Sequence, residues 1–177
     1  MELTILHAIQ QLHTDWLDMV MIFFTTLGNG GILWLITGIG MLFFKKTRRC
    51  GMFVLLSMAI CYVVGNIGLK NLIARLRPFI ADPSVILKIA EPGEFSFPSG
   101  HTLHSFTSAT AIFLCYRKAG IAAFVTAGLI AFSRLYLFVH YPTDILGGMV
   151  LGICVAVFVV KVIGKKIPKN ERPITES

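Results

Sequence analysis

Apolar runs long enough to cross a lipid bilayer recur along most of this chain, and they leave it few possible folds. A hydrocarbon core about 30 Å thick takes about 20 residues of α-helix, and only helices and closed barrels satisfy their own backbone polar groups there. Five runs stand out, roughly Gly30 to Phe44, Gly51 to Leu72, Thr102 to Tyr116, Ala119 to Val139 and Thr143 to Ile163. Several are short, which suits a thin or locally thinned bilayer. With 55% hydrophobic and 14% charged residues and a mean hydropathy of +0.77, an ordinary soluble domain is excluded. The expected fold is all-α, a polytopic membrane helix bundle of about five transmembrane helices with an amphipathic interfacial helix at the N-terminus.

The N-terminal stretch sets the one ambiguity in that count. Leu3, Leu6, Ile9 and Leu12 recur at helical spacing among polar residues, the pattern of a helix lying on a membrane. Trp16 to Leu27 is apolar but short, and Gly28-Asn29-Gly30-Gly31 breaks it, so it is assigned to the interface; were it to span, the helices would number six. His7 and His13 read as surface histidines of this region. No basic segment or small-residue cleavage site precedes the first apolar run, so a cleaved signal peptide is not expected. The chain thus divides into an interfacial region over 1–29, a helix bundle over 30–163 and a basic tail over 164–177.

A net charge of +7 could suggest nucleic acid, but the cations gather in short loops between apolar runs, with no basic face carrying aromatic platforms. Lys45, Lys46, Arg48, Arg49, Arg117, Lys118, Lys161, Lys165, Lys166, Lys169 and Arg172, eleven of the sixteen Lys and Arg residues, fall on one side of the predicted bundle. That side should be cytoplasmic. Seven of the nine acidic residues fall on the other, with the loop from about Ile73 to His101 and the turn around His140. The four cysteines lack metal-type spacing and read as small buried hydrophobes.

Three polar clusters interrupt this oily sequence on the outer side. Ser133 to Asp144 holds an Arg, a His and an Asp, groups costly enough in a membrane to be functional candidates by default. Pro142 suits the first position of a helix, which places Asp144 in its first turn within reach of His140. A carboxylate on one ring nitrogen fixes the tautomer and frees the other nitrogen as base or nucleophile. Lys70 and Arg77 are seven residues apart, so both should leave one face of a helix that Pro78 ends, with Arg75 pointing elsewhere. Phe95 to His101 leads into a helix rich in Ser and Thr. Ser99 can cap it, while Gly100, His101 and the free N–H groups face any bound anion. His104, one turn on, is expected to pack inside the bundle. Three cations, a hydroxyl, helix N–H groups and two imidazoles suit phosphate.

Lys70 followed by Arg77-Pro78, then Pro98-Ser99-Gly100-His101, then Ser133-Arg134 with His140 and Asp144, resembles the three-part signature of the type 2 phosphatidic acid phosphatase family. The resemblance covers Lys70 to Asp144 and, through the helix pattern, nearly the whole chain. It implies a phosphatase whose catalytic residues are His140, Asp144 and His101. His140, oriented by Asp144, would attack phosphorus, and His101 would protonate the leaving oxygen. Lys70, Arg77, Ser99, Gly100 and Arg134 would hold the phosphoryl oxygens. No metal or other cofactor is needed; a site built of His101, His104, His140 and Asp144 would suffer repulsion of a divalent ion by the three cations.

The expected partners are the bilayer and a lipid phosphate or diphosphate, whose tail stays in the membrane while its phosphate enters the pocket. Undecaprenyl diphosphate is favoured, in a bacterial inner membrane with the site facing outward, over phosphatidic acid and phosphatidylglycerophosphate. A lipid phosphotransferase would use the same site. A non-hydrolytic lipid-binding or transport protein would share the cations but have no use for the His140 and Asp144 pair or for His101. Gly147, Gly148 and Gly152 suit close helix packing, either within one bundle or between two copies.

Overall fold

The computed structural model describes residues 1–166; among these there are helices and no strands. Lys169, Arg172 and most of the expected basic tail lie outside the described residues. One helix, α7 (Gly100–Cys115), forms the axis of the bundle, with every residue from Thr102 to Ile112 buried. A helix buried all round needs close neighbours on every side, and Ser105, Thr107, Ser108, Ala109, Thr110 and Ala111 are small enough to admit them. Around it pack α4 (Arg48–Cys61), α8 (Arg117–Tyr136) and α9 (Pro142–Phe158). The closest approach is at Gly152 of α9, where a Cβ would lie 2.7 Å from the Leu103 carbonyl oxygen and 2.8 Å from Thr107 Oγ1. Gly148 meets the Ser99 carbonyl in the same way. These two glycines therefore serve packing within the bundle.

Four helical stretches are long and apolar enough to cross a membrane, namely Asp15–Leu42, Arg48–Ala81, Arg117–Tyr136 and Pro142–Ile163. The five expected runs map onto these four and the shorter, enclosed α7. Trp16, Ile36, Val125 and Val150 point outward, exposed on faces that a soluble protein would cover. Cys50 and Cys61 are buried as expected, whereas Cys154 is exposed; all four cysteines are free.

The N-terminal region departs from expectation. Trp16 to Leu27 lies in α2 (Asp15–Gly28), which runs through a tight turn at Asn29–Gly31 into α3 (Ile32–Leu42) as one bent membrane-length helix. The glycines bend the helix where the sequence suggested an end: Gly30 and Gly31 have φ of +58° and +68°, left-handed values that cost glycine little. The bend brings Gly31 against Met58 of α4 and His104 of α7. Before α2, α1 (Glu2–Gln10) lays a fully buried Leu6 against Phe138 and Tyr141. His7 stays half exposed, bonded to Asp82. His13 does not lie on the surface as expected; it stacks on Tyr136 with ring centroids 4.2 Å apart.

Candidate active site

The turn between α8 and α9 carries the central pair, and its local chemistry sets its shape. Tyr141 caps α9, Pro142 takes the first helical position, and Asp144 Oδ2 accepts the Tyr141 N–H at 2.8 Å. That bond is the carboxylate half of a capping box and points Asp144 back at the turn. His140 Nδ1 lies 3.4 Å from the same oxygen, and Ser96 Oγ donates to it at 2.5 Å. On the other side of the ring, His140 Nε2 is 3.2 Å from Arg77 Nη1. A guanidinium can only donate, so Nε2 is the acceptor and the ring proton sits on Nδ1, toward Asp144. The ring is almost wholly enclosed. Burial pushes its pKa down to about 3, Asp144 opposing this and the charges of Arg77 and Arg134 adding to it. His140 is therefore a neutral imidazole with its Nε2 lone pair turned to a cation.

Lys70 and Arg77 do converge, but not as two turns of one helix. α4 continues through a π-helical stretch, Tyr62–Leu69, into a short α5 (Lys70–Ile73) that ends at Ala74, whose φ of 46° is left-handed. The chain is then extended up to Arg77, and Pro78 starts a new turn, α6 (Pro78–Ala81). What unites the two cations is Glu94: Lys70 Nζ meets its carboxylate at 2.5 Å, and Arg77 Nε donates to its backbone oxygen at 2.6 Å. The Lys70 ammonium bonded to it holds the Glu94 carboxyl below the usual range.

The same break in the helix overturns the reading of Arg75. Freed from helical geometry, Arg75 turns inward, and its Nη1 donates to Asp144 Oδ1 at 2.7 Å and to Thr143 Oγ1 at 2.6 Å. Ser96 and Glu94, in a loop whose sequence carries no recognisable motif, were likewise missed. For these three the sequence offers no signal beyond their lying near the motifs.

Ser99 caps α7 as expected, its Oγ accepting from Thr102. Its backbone N–H donates to the Asp144 carbonyl at 3.2 Å, which ties the start of α7 to the start of α9. Gly100 faces Asn66 of the π-helical stretch, where a Cβ would lie 3.2 Å from Nδ2. His101 and Arg134 bond to α2 and its turn, His101 Nε2 to Asn29 Oδ1 at 2.9 Å and Arg134 Nη1 to Thr25 Oγ1. Arg134 Nε is buried without a partner, a donor available to an anion, and so is one nitrogen of His104, Nδ1. Direct bonds thus link Lys70, Arg77, Ser99, His140 and Asp144 through Glu94, Val139 and the capped helix starts, while His101 and Arg134 are set by the first span. Among the described residues no three His, Cys, Asp or Glu side chains are grouped so as to hold a metal ion.

Comparison with known proteins finds relatives that match most of the chain. The family model described as PAP2 superfamily matches residues 51–168. An undecaprenyl-diphosphatase of Sulfolobus acidocaldarius is 34% identical over 138 residues, covering 77% of this chain and 66% of that protein. Phosphatidylglycerophosphatase B of Bacillus subtilis is 35% identical over 168 residues, covering 87% and 78%. The crystal structure of a transmembrane PAP2 type phosphatidylglycerolphosphate phosphatase from Bacillus subtilis superposes with a TM-score of 0.73 at 32% identity, covering 95% of this chain and 86% of that one. With the matched region holding all three polar clusters, the chain belongs to the PAP2 superfamily as a multi-pass membrane member.

Proposed function

We propose that this protein hydrolyses a lipid phosphate or diphosphate through a phosphohistidine on His140. The observation that carries the reading is the state of that ring: Nδ1–H toward Asp144, and the Nε2 lone pair toward Arg77, a donor suited to a phosphoryl oxygen. Nε2 attacks phosphorus while the bond from phosphorus to the lipid oxygen breaks, and His101 supplies the proton that oxygen takes. The phosphorylated ring is cationic, and the Asp144 carboxylate stabilises it. Water then attacks phosphorus, giving up a proton to His101, and phosphate leaves with His140 restored. Lys70, Arg77, Arg134, Ser99 and the Gly100 N–H hold the phosphoryl oxygens and offset charge in the transition state, with no metal ion in the sequence of steps. Glu94 must release Lys70 for this to happen.

Undecaprenyl diphosphate is the favoured substrate, at the outer face of a bacterial inner membrane, with cations concentrated on the opposite side. Phosphatidylglycerophosphate is the second reading, favoured by the long match to the Bacillus subtilis phosphatase. The test is phosphate release by the detergent-purified protein in excess chelator, from undecaprenyl diphosphate, phosphatidylglycerophosphate and phosphatidic acid in parallel. Release that survives chelation and vanishes in His140→Ala and His101→Ala is expected, and the ranking of rates selects the lipid. An active His140→Ala variant would remove the phosphohistidine.

A further inference from the structure

The N-terminal helix, far in sequence from the three motifs, reaches the central pair through one residue. Glu2 Oε2 accepts from Arg75 Nη2 at 2.6 Å, and Glu2 Oε1 accepts the Thr143 N–H at 3.1 Å and its hydroxyl at 2.7 Å. Thr143 Oγ1 also accepts from Arg75 Nη1, so Glu2, Arg75 and Thr143 close a ring at the first turn of α9. Arg75 lies over the Tyr141 ring, 3.9 Å from its centroid. Leu6, buried against Phe138 and Tyr141, anchors α1 in this place.

We propose that Glu2 and Arg75 are positioning residues for the Asp144 and His140 pair, making α1 a working part of the site. This rests on the phosphohistidine reading. Asp144 is fully buried, and its two oxygens are unequally served. Oδ2 takes the Tyr141 N–H, the Ser96 hydroxyl and His140 Nδ1, while Oδ1 has Arg75 alone. Without Arg75 a buried carboxylate oxygen loses its partner, and such a group reorients or takes up a proton. Either response weakens the contact to His140 Nδ1, already long at 3.4 Å, and with it the stabilisation of the cationic phosphohistidine. Arg75 in turn must be kept from the substrate's phosphate, which any loose guanidinium in this region would bind. Glu2 does this, one oxygen holding Arg75 Nη2 and the other holding Thr143, itself bonded to Nη1, while its charge balances a cation set between two carboxylates.

Turnover is measured for Glu2→Gln, Arg75→Lys and Arg75→Ala in the full chain, tagged at the C-terminus, with His140→Ala as control and thermal unfolding as a check on folding. Arg75→Ala is expected to lower kcat by about a hundredfold with KM held within about twofold, the penalty of a misplaced catalytic group. Glu2→Gln and Arg75→Lys are expected to lose about tenfold in kcat, since neither keeps both the charge and the fork. In an Asp144→Asn background Arg75→Ala should cost less than about twofold more, because both act through one group. Should Arg75→Ala fail to fold, the two milder variants decide. The proposal is overturned by an unchanged kcat in those variants, by a rise in KM alone, or by losses that add in the Asp144→Asn background. A His140→Ala variant that stays active would instead sink the phosphohistidine reading, so the two failures are distinguishable.

Discussion

At the scale of single residues the site turns on what surrounds each ionisable group once the chain is folded. His140 is the sharpest case, because burial keeps it neutral down to about pH 3 against about 6.5 for a free imidazole. Between those values the unfolded chain binds a proton that the folded one refuses, so stability rises with pH through this window and falls as the medium is acidified. Thermal unfolding should therefore shift upward from pH 4 to pH 7, and the slope should flatten in His140→Gln; equal slopes would mean that His140 is not the group responsible. Glu94 makes a second case. Its carboxylate occupies Lys70 at 2.5 Å, on a side chain two-thirds exposed, so under the proposed function it competes with substrate phosphate for the same ammonium. Glu94→Gln should lower KM several-fold, on the order expected for losing one partly exposed charge contact, and strengthen inhibition by inorganic phosphate. A raised KM would show that Glu94 helps binding.

At the scale of elements, the site is a meeting of helix ends on one central helix. The end of α5, the start of α7, the end of α8 and the start of α9 come together because α7 accepts α9 at backbone distance. Gly152 sets that distance, with the Leu103 carbonyl 2.7 Å from where a Cβ would stand. Gly152→Val should destabilise the protein by about 1 to 3 kcal/mol, the usual cost of overpacking, and lower kcat by separating Asp144 from Ser99. Denaturant titration and turnover in one detergent check both; a variant of unchanged stability would mean that α9 yields freely. The bend at Gly30 and Gly31 does related work, turning the first span so that Asn29 and Thr25 meet His101 and Arg134.

At the scale of the whole molecule, alternating helices put every site residue at one end and the described loop cations Lys45, Lys46, Arg48, Arg49, Arg117 and Lys118 at the other. A cysteine placed at Glu91 should react in intact cells with a reagent that cannot cross the membrane; labelling only after lysis would invert the orientation. What the sequence determined by itself is what local chemistry and bulk composition decide. Apolar runs imposed helices across a membrane, Tyr-Pro-Thr-Asp imposed the capped turn that aims Asp144 at His140, and Ser99 capped α7. Three motifs in order then identified the family. What only the tertiary structure decided depends on contacts between distant segments. Lys70 and Arg77 converge because a left-handed Ala74 breaks their helix, a break the seven-residue spacing concealed. Arg75, Glu94, Ser96 and Glu2 join the site because packing sets them there, with no periodicity or cap to announce them. Whether Gly-Asn-Gly-Gly ends a helix or bends one was also open in the sequence, since glycine permits both, and contact with α4 and α7 selects the bend.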